Sequence, residues 1–146
     1  MEQRLNFYKA SPNAIKAMRG LEQHIAQSSL EKPLIHLVKL RASQINGCAY
    51  CVDMHSAEAR KDGESERRLS AVIVWREAAF FSDRERAALA WTEALTRVEQ
   101  THVPDDVWER VKPLFTPEEL VDLTLLVTTI NSWNRFAIAF RLPLPN

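Results

Sequence analysis

The chain has two cysteines, Cys48 and Cys51, and His55 follows the second by four residues. On a helix, positions 48, 51 and 55 fall on one stripe. A thiol attacks a peroxide or a disulfide as its thiolate, and this spacing offers three aids to ionisation. Cys48 is expected in the first turn of a helix, where free N–H groups and the helix dipole favour an anion. His55, one turn beyond Cys51, is placed to take its proton or to pair with the thiolate. The second cysteine of a C-x-x-C pair also stabilises the first thiolate. One helical turn brings the two sulfurs close enough to join without large backbone movement. One cysteine could then be oxidised to a sulfenic acid and the other resolve it to a disulfide, the cycle that a peroxidase or disulfide reductase needs.

Two other readings use the same residues. Two thiolates and an imidazole suit zinc, with His36 or His24 as a fourth ligand. A typical zinc site, however, draws on two separated knuckles, and there is no second C-x-x-C. Alternatively, the cysteines are buried and inert, since a free thiol packs well in a core.

The bulk numbers bound the class. A chain of 146 residues suits one domain, expected to span 1–146, with a real core. Hydrophobic residues at 46% and charged residues at 26% fit a folded, soluble protein. Lys+Arg and Asp+Glu balance at 19 each, which gives no argument for nucleic acid or an anionic membrane. No apolar run approaches the roughly 20 residues that span a bilayer. The N-terminus lacks an apolar signal core, so the cytoplasm is the expected compartment. In a reducing compartment a close cysteine pair points to catalysis or metal rather than a static disulfide.

The elements that must position these residues are helical. Glycine is scarce, at three residues, and no segment alternates over a strand length, so the chain reads as all-α. Ser11-Pro12 opens a helix carrying Ile15, Met18, Leu21 and Ile25. Pro33 starts a second, with Leu34, Leu37, Val38 and Ala42 at helical spacing. Asn46-Gly47 breaks it, and Asn46 is the expected N-cap of a third helix, which holds the cysteines and ends at Asp62-Gly63. Ser82-Asp83-Arg84-Glu85 is a capping box that launches a helix to about Val98. His102-Val103-Pro104 starts a short one. Thr116-Pro117-Glu118-Glu119 caps a long helix, about 117–140, that is apolar on several sides and so belongs in the core or an interface.

The run Leu37-Val38-Lys39-Leu40-Arg41-Ala42-Ser43-Gln44-Ile45-Asn46-Gly47-Cys48-Ala49-Tyr50-Cys51-Val52-Asp53-Met54-His55 resembles the core of AhpD-like alkylhydroperoxidases, of the carboxymuconolactone decarboxylase superfamily. The similarity continues through Trp75-Arg76-Glu77, the segment Arg84 to Leu95, and Ile130-Asn131-Ser132-Trp133-Asn134-Arg135. The resemblance implies an AhpD-like helical bundle with the C-x-x-C motif at a helix N-terminus, assembled as a homodimer, trimer or hexamer. It gives Cys51 the peroxidatic role, Cys48 the resolving role, and His55 the task of deprotonating Cys51. It implies no metal or flavin, and an external dithiol or lipoyl-bearing protein as reductant of the Cys48–Cys51 pair. Lactone decarboxylation follows only from superfamily membership.

The chain departs from that pattern at two positions. The family relay has a glutamate where this sequence has His36, and the best-known branch has a histidine where this one has Tyr50. A carboxylate orients an imidazole and stabilises its cation; a second imidazole does so less well. On one straight helix His36 would lie about 18 Å from Cys48. A reversal at Asn46-Gly47 instead sets His36 roughly level with His55. Glu58, three residues after His55 on the same stripe, is a candidate substitute carboxylate, and reads first as a solvated helix charge. Glu93 reads as a surface pair with Arg97, and Asp53 points away from the motif. The tryptophans at 75, 91, 108 and 133 read as core or interface anchors, with some available to line an apolar pocket.

The expected function is thiol-dependent reduction of organic hydroperoxides through a sulfenic acid and a Cys48–Cys51 disulfide, as antioxidant defence. The alternatives are a redox-responsive or disulfide-reductase protein with little peroxide turnover, because His36 replaces the relay glutamate, and a zinc-stabilised module.

Overall fold

Capping chemistry sets where the helices begin. The computed structural model describes residues 2–144, and every regular element among them is helical. The elements are α1 (Phe7–Ala10), α2 (Pro12–Gln27), α3 (Lys32–Asn46), α4 (Ala49–Lys61), α5 (Glu66–Ala71), α6 (Asp83–Thr96), α7 (Val98–Thr101), α8 (Asp105–Val111) and α9 (Pro117–Phe140), with short 3-10 turns at Val72–Val74 and Lys112–Leu114. Ser82 and Glu85 close one capping box and Thr116 and Glu119 another, each satisfying two backbone N–H groups of a helix start. Pro12, Pro33 and Pro117 occupy first turns, where no N–H is missed. The helix expected to start at His102 starts at Asp105 instead. His102 and Val103 have left-handed backbone, and Pro104 holds the N-cap.

Helix α3 is the centre of the packing and lies against α4, α6 and α9. Leu34 and Val38 pack with Ala87, Ala88 and Trp91 of α6 and with Leu123, Leu126 and Val127 of α9. Leu37 and Leu40 turn the other way, toward Ala59, Leu69, Val72, Trp75 and Leu89. Each fully buried leucine contributes on the order of 2 kcal/mol relative to exposure. Arg41 is buried in the same helix, and its Nε donates to Glu93 Oε1 at 2.8 Å. Glu93 also accepts from Trp75 Nε1 at 2.9 Å and pairs with Arg76. The expected Glu93–Arg97 surface pair is therefore corrected: α6 is buried on most of its faces, and Glu93 faces inward. Burial pushes the Glu93 carboxyl up, but hydrogen bonds from Trp75, Arg76 and Arg41 outweigh it and hold the group below its ordinary range.

The break between α3 and α4 positions the cysteines. Gly47 takes left-handed backbone at φ 67°. Its N–H bonds the Gln44 carbonyl, and the Cys48 N–H bonds the Ser43 carbonyl at 3.0 Å, closing the end of α3. Asn46 is thus the last residue of α3, and Cys48, not Asn46, caps α4. The Asn46 side chain is committed elsewhere: Nδ2 donates to Asn131 Oδ1 at 3.0 Å and to Asn134 Oδ1 at 2.8 Å, while Asn134 Nδ2 donates to Ser43 Oγ. This amide network ties the end of α3 to α9. A Cβ at Gly47 would meet nothing within 4 Å, so only its backbone conformation matters. Gly47→Ala should therefore cost about 1–2 kcal/mol, the usual cost of a left-handed non-glycine residue. A urea midpoint unchanged from wild type would contradict this.

Candidate active site

Cys48 and Cys51 form a disulfide with their Cα atoms 5.3 Å apart. Both residues are almost fully buried, beside Ala137 of α9. Cys48 Sγ accepts the N–H of Cys51 at 3.3 Å, so the sulfur takes the place of an N-cap side-chain oxygen. A thiolate released at Cys48 finds this donor and the positive end of α4 already in place.

His55 lies one turn beyond Cys51 and is also buried. Its Nδ1 is 3.0 Å from Glu58 Oε2. An ionised carboxylate only accepts, so Nδ1 carries the hydrogen and Nε2 of a neutral ring is left as the base. Glu58 is thus the residue that orients His55, not a freely solvated charge, although its side chain stays half exposed. The hydrogen bond from His55 is the main influence holding the Glu58 carboxyl below its ordinary range, partial burial opposes it, and the charges of His55, Lys39 and His36 add to the lowering.

His36 does not share this cavity. Its Nε2 bonds Asp62 Oδ2 at 2.7 Å, and Lys32 joins the same carboxylate at 2.9 Å. The expectation that His36 sits level with His55 is corrected. Gly47 and the extended Cys48 stand between the helices, and His36 meets the C-cap of α4, about two turns past His55. The α3 side chain that faces the cysteine cavity is Lys39, one turn on from His36. Lys39 Nζ bonds Glu22 Oε2 at 2.6 Å, and Glu22 Oε1 accepts from Trp133 Nε1 at 3.1 Å.

These groups enclose a cavity of about 240 Å³. Cys51, His55 and Glu58 form one side of it; Phe7, Tyr8, Tyr50, Met54, Trp133 and Leu142 give it apolar and aromatic walls, with Arg19 also lining it. Trp133 is the one of the four tryptophans that lines it. Trp75 and Trp91 are core residues, and Trp108 packs at a tilt against Trp91 near the surface, with centroids 6.0 Å apart. The zinc constellation does not assemble: His24 bonds Asp122 at 2.8 Å and His36 bonds Asp62. Among the described residues no three His, Cys, Asp or Glu side chains cluster as a metal site.

Spacing alone offers Glu58 as a substitute carboxylate for His55 but does not assign Lys39 and Glu22 to the site. The available signals were weak ones: a lysine within the apolar stretch of α3, and a carboxylate at i+3 from the histidine. Because the Glu58 pKa is lowered on folding, its stabilisation is fully present above the unfolded carboxylate pKa, near 4.3. It is lost as pH falls through the lower folded value. The stability gap between wild type and Glu58→Gln should therefore shrink on acidification below about pH 4.3. Urea midpoints across that range that keep a constant gap would contradict the stabilising His55–Glu58 hydrogen bond.

Known proteins resemble this chain in sequence and fold. The model of the carboxymuconolactone decarboxylase family matches residues 12–94. The chain is 42% identical over 139 residues to the uncharacterized protein YdfG of Bacillus subtilis, covering 95% of each. It matches the crystal structure of a protein of unknown function from Agrobacterium tumefaciens, a candidate antioxidant defence protein AhpD, with a TM-score of 0.96, 47% identity and 99% of each chain covered. A stretch of 49 residues is 41% identical to alkyl hydroperoxide reductase AhpD of Hyphomonas neptunium, covering 34% of this chain and 27% of that protein.

Proposed function

This chain belongs to the carboxymuconolactone decarboxylase family and has the AhpD-like all-helical fold, and on that footing we propose that its cysteine pair reduces organic hydroperoxides as part of antioxidant defence. One observation carries the proposal: Cys51 and the His55–Glu58 pair open on the same cavity, while the partner sulfur sits at a helix N-terminus within disulfide distance.

The chemistry follows from those positions. His55 Nε2 takes the Cys51 proton, and Glu58 stabilises the imidazolium that forms. The Cys51 thiolate attacks the terminal peroxide oxygen, the O–O bond breaks, and the alkoxide leaves with a proton from His55. Cys51 is then a sulfenic acid. Cys48 attacks that sulfur, water leaves, and the Cys48–Cys51 disulfide closes. An external dithiol, such as a lipoyl group on a partner protein, returns both thiols. The apolar and aromatic walls suit an organic peroxide better than hydrogen peroxide.

A second reading, a disulfide reductase or redox-responsive protein with little peroxide turnover, draws on His36, which is committed to Asp62 where the family relay has a carboxylate. Turnover of an organic hydroperoxide with a dithiol reductant separates the two. Both Cys48→Ser and Cys51→Ser should lose activity, and Cys48→Ser alone should trap a Cys51 sulfenic acid. Glu58→Gln should lower the rate roughly tenfold or more through misplacement of His55. His36→Glu should leave it within about twofold, because position 36 faces Asp62. Full activity in both serine variants would sink the peroxidase reading, and a sharp gain in His36→Glu would restore position 36 to the mechanism.

A further inference from the structure

The two cysteines of the disulfide, though almost fully buried, line different clefts. Cys51 lines the cavity with His55 and Glu58, and Cys48 does not. Cys48 lines a second cleft, of about 640 Å³, between the start of α4 and the C-terminal end of α9. Tyr50, Ala137 and Leu142 line both spaces and form the partition between them. The volume is that of a small-molecule site.

Among the described residues the charge of the second cleft is one-sided. Arg4 and Arg141 line it, and none of its described lining residues is acidic. Arg4 is held by Nη1 on the Ala139 carbonyl at 3.1 Å. The first cavity differs: there Lys39 is neutralised by Glu22, and Glu58 is paired with His55.

We propose that the Cys48 cleft is the entry site for the reductant, and that it takes a small dithiol bearing carboxylates. This rests on the redox cycle of the Cys48–Cys51 pair set out above. One thiolate of the reductant attacks Cys48 Sγ from the cleft and forms a mixed disulfide. The Cys48–Cys51 bond breaks, and its electron pair leaves on Cys51, beside His55. The Cys51 sulfur leaves beside His55, which takes up the proton of the reductant thiol and passes it to that sulfur, and this directs attack to Cys48. The second thiolate of the reductant then attacks its own sulfur in the mixed disulfide and expels the Cys48 thiolate onto the Cys51 N–H. Two electrons pass to the protein, the reductant leaves as its disulfide, and the two thiol protons end on Cys48 and Cys51. Peroxide and reductant thus reach one disulfide from opposite sides.

Reduction of the oxidised full chain by dimercaptosuccinate and by uncharged dithiothreitol, followed by stopped flow, tests this. Arg4→Glu and Arg141→Glu should each slow dimercaptosuccinate roughly tenfold and leave dithiothreitol within about twofold, with added salt eroding the wild-type preference. Ile138→Trp, which fills the cleft at an exposed position, should slow both reductants and spare oxidation of the reduced chain by hydroperoxide. Equal effects of the arginine changes on both dithiols, or an Ile138→Trp protein slowed only toward hydroperoxide, would overturn the proposal. The two half-reactions are read separately. A reduced chain inert to hydroperoxide removes the peroxidase reading, while the ratio of the dithiol rates still decides the role of the cleft.

Discussion

The left-handed turn at Gly47 is the constraint on which the site depends. If α3 ran on through residue 48, the Cys51 N–H would bond the Gly47 carbonyl and Cys48 would lose its place at a helix start. Because α3 stops, the Cys48 sulfur becomes the cap of α4 and accepts the Cys51 N–H. The stop is enforced from three sides. Gly47 supplies the backbone conformation, the Ser43 carbonyl takes the Cys48 N–H, and the Asn46–Asn134–Ser43 amide chain clamps the end of α3 to α9. Buried amides of this kind are costly unless all their bonds are made, so the network favours one geometry over neighbouring ones.

The second organising feature is the pairing of basic side chains with carboxylates. Arg41 with Glu93, Lys39 with Glu22, His36 with Asp62 and His55 with Glu58 each join a basic group to a carboxylate. Arg41 and Glu93 are both buried, and leaving either charge unpaired would be strongly destabilising, so that pair is fixed by the fold. Pairing also divides the labour among residues that look alike in sequence. Of the two histidines beside α4, only His55 is held over the cysteine cavity.

Much of this was legible in the chain. Gly47, the prolines and the two capping boxes mark helix ends through local chemistry, which needs no tertiary information. The stripe of Cys48, Cys51 and His55 is likewise a property of one helix. The short helices α1, α5 and α7 were not read, since four to six residues carry too little periodicity. Local chemistry points to Asn46 as the cap, two residues before the true cap Cys48, because a cysteine sulfur is a rarer cap than an amide. Register between α3 and α4 was also out of reach. The two residues between the helices shift the pairing, so that His36 meets Asp62 and Lys39 takes the cavity position. Glu93 was misread because its partners Arg41 and Trp75 are distant in sequence and meet it only through packing.

Whether the two thiols act as a peroxide-reducing couple is decided most directly by intact-protein mass spectrometry of the reduced chain after one equivalent of an organic hydroperoxide. Rapid loss of two hydrogens per chain, mapped to a Cys48–Cys51 link, is the expected result. Thiols that remain reduced over the time in which free cysteine reacts would contradict the assignment, as would oxygen addition at Cys48 ahead of Cys51.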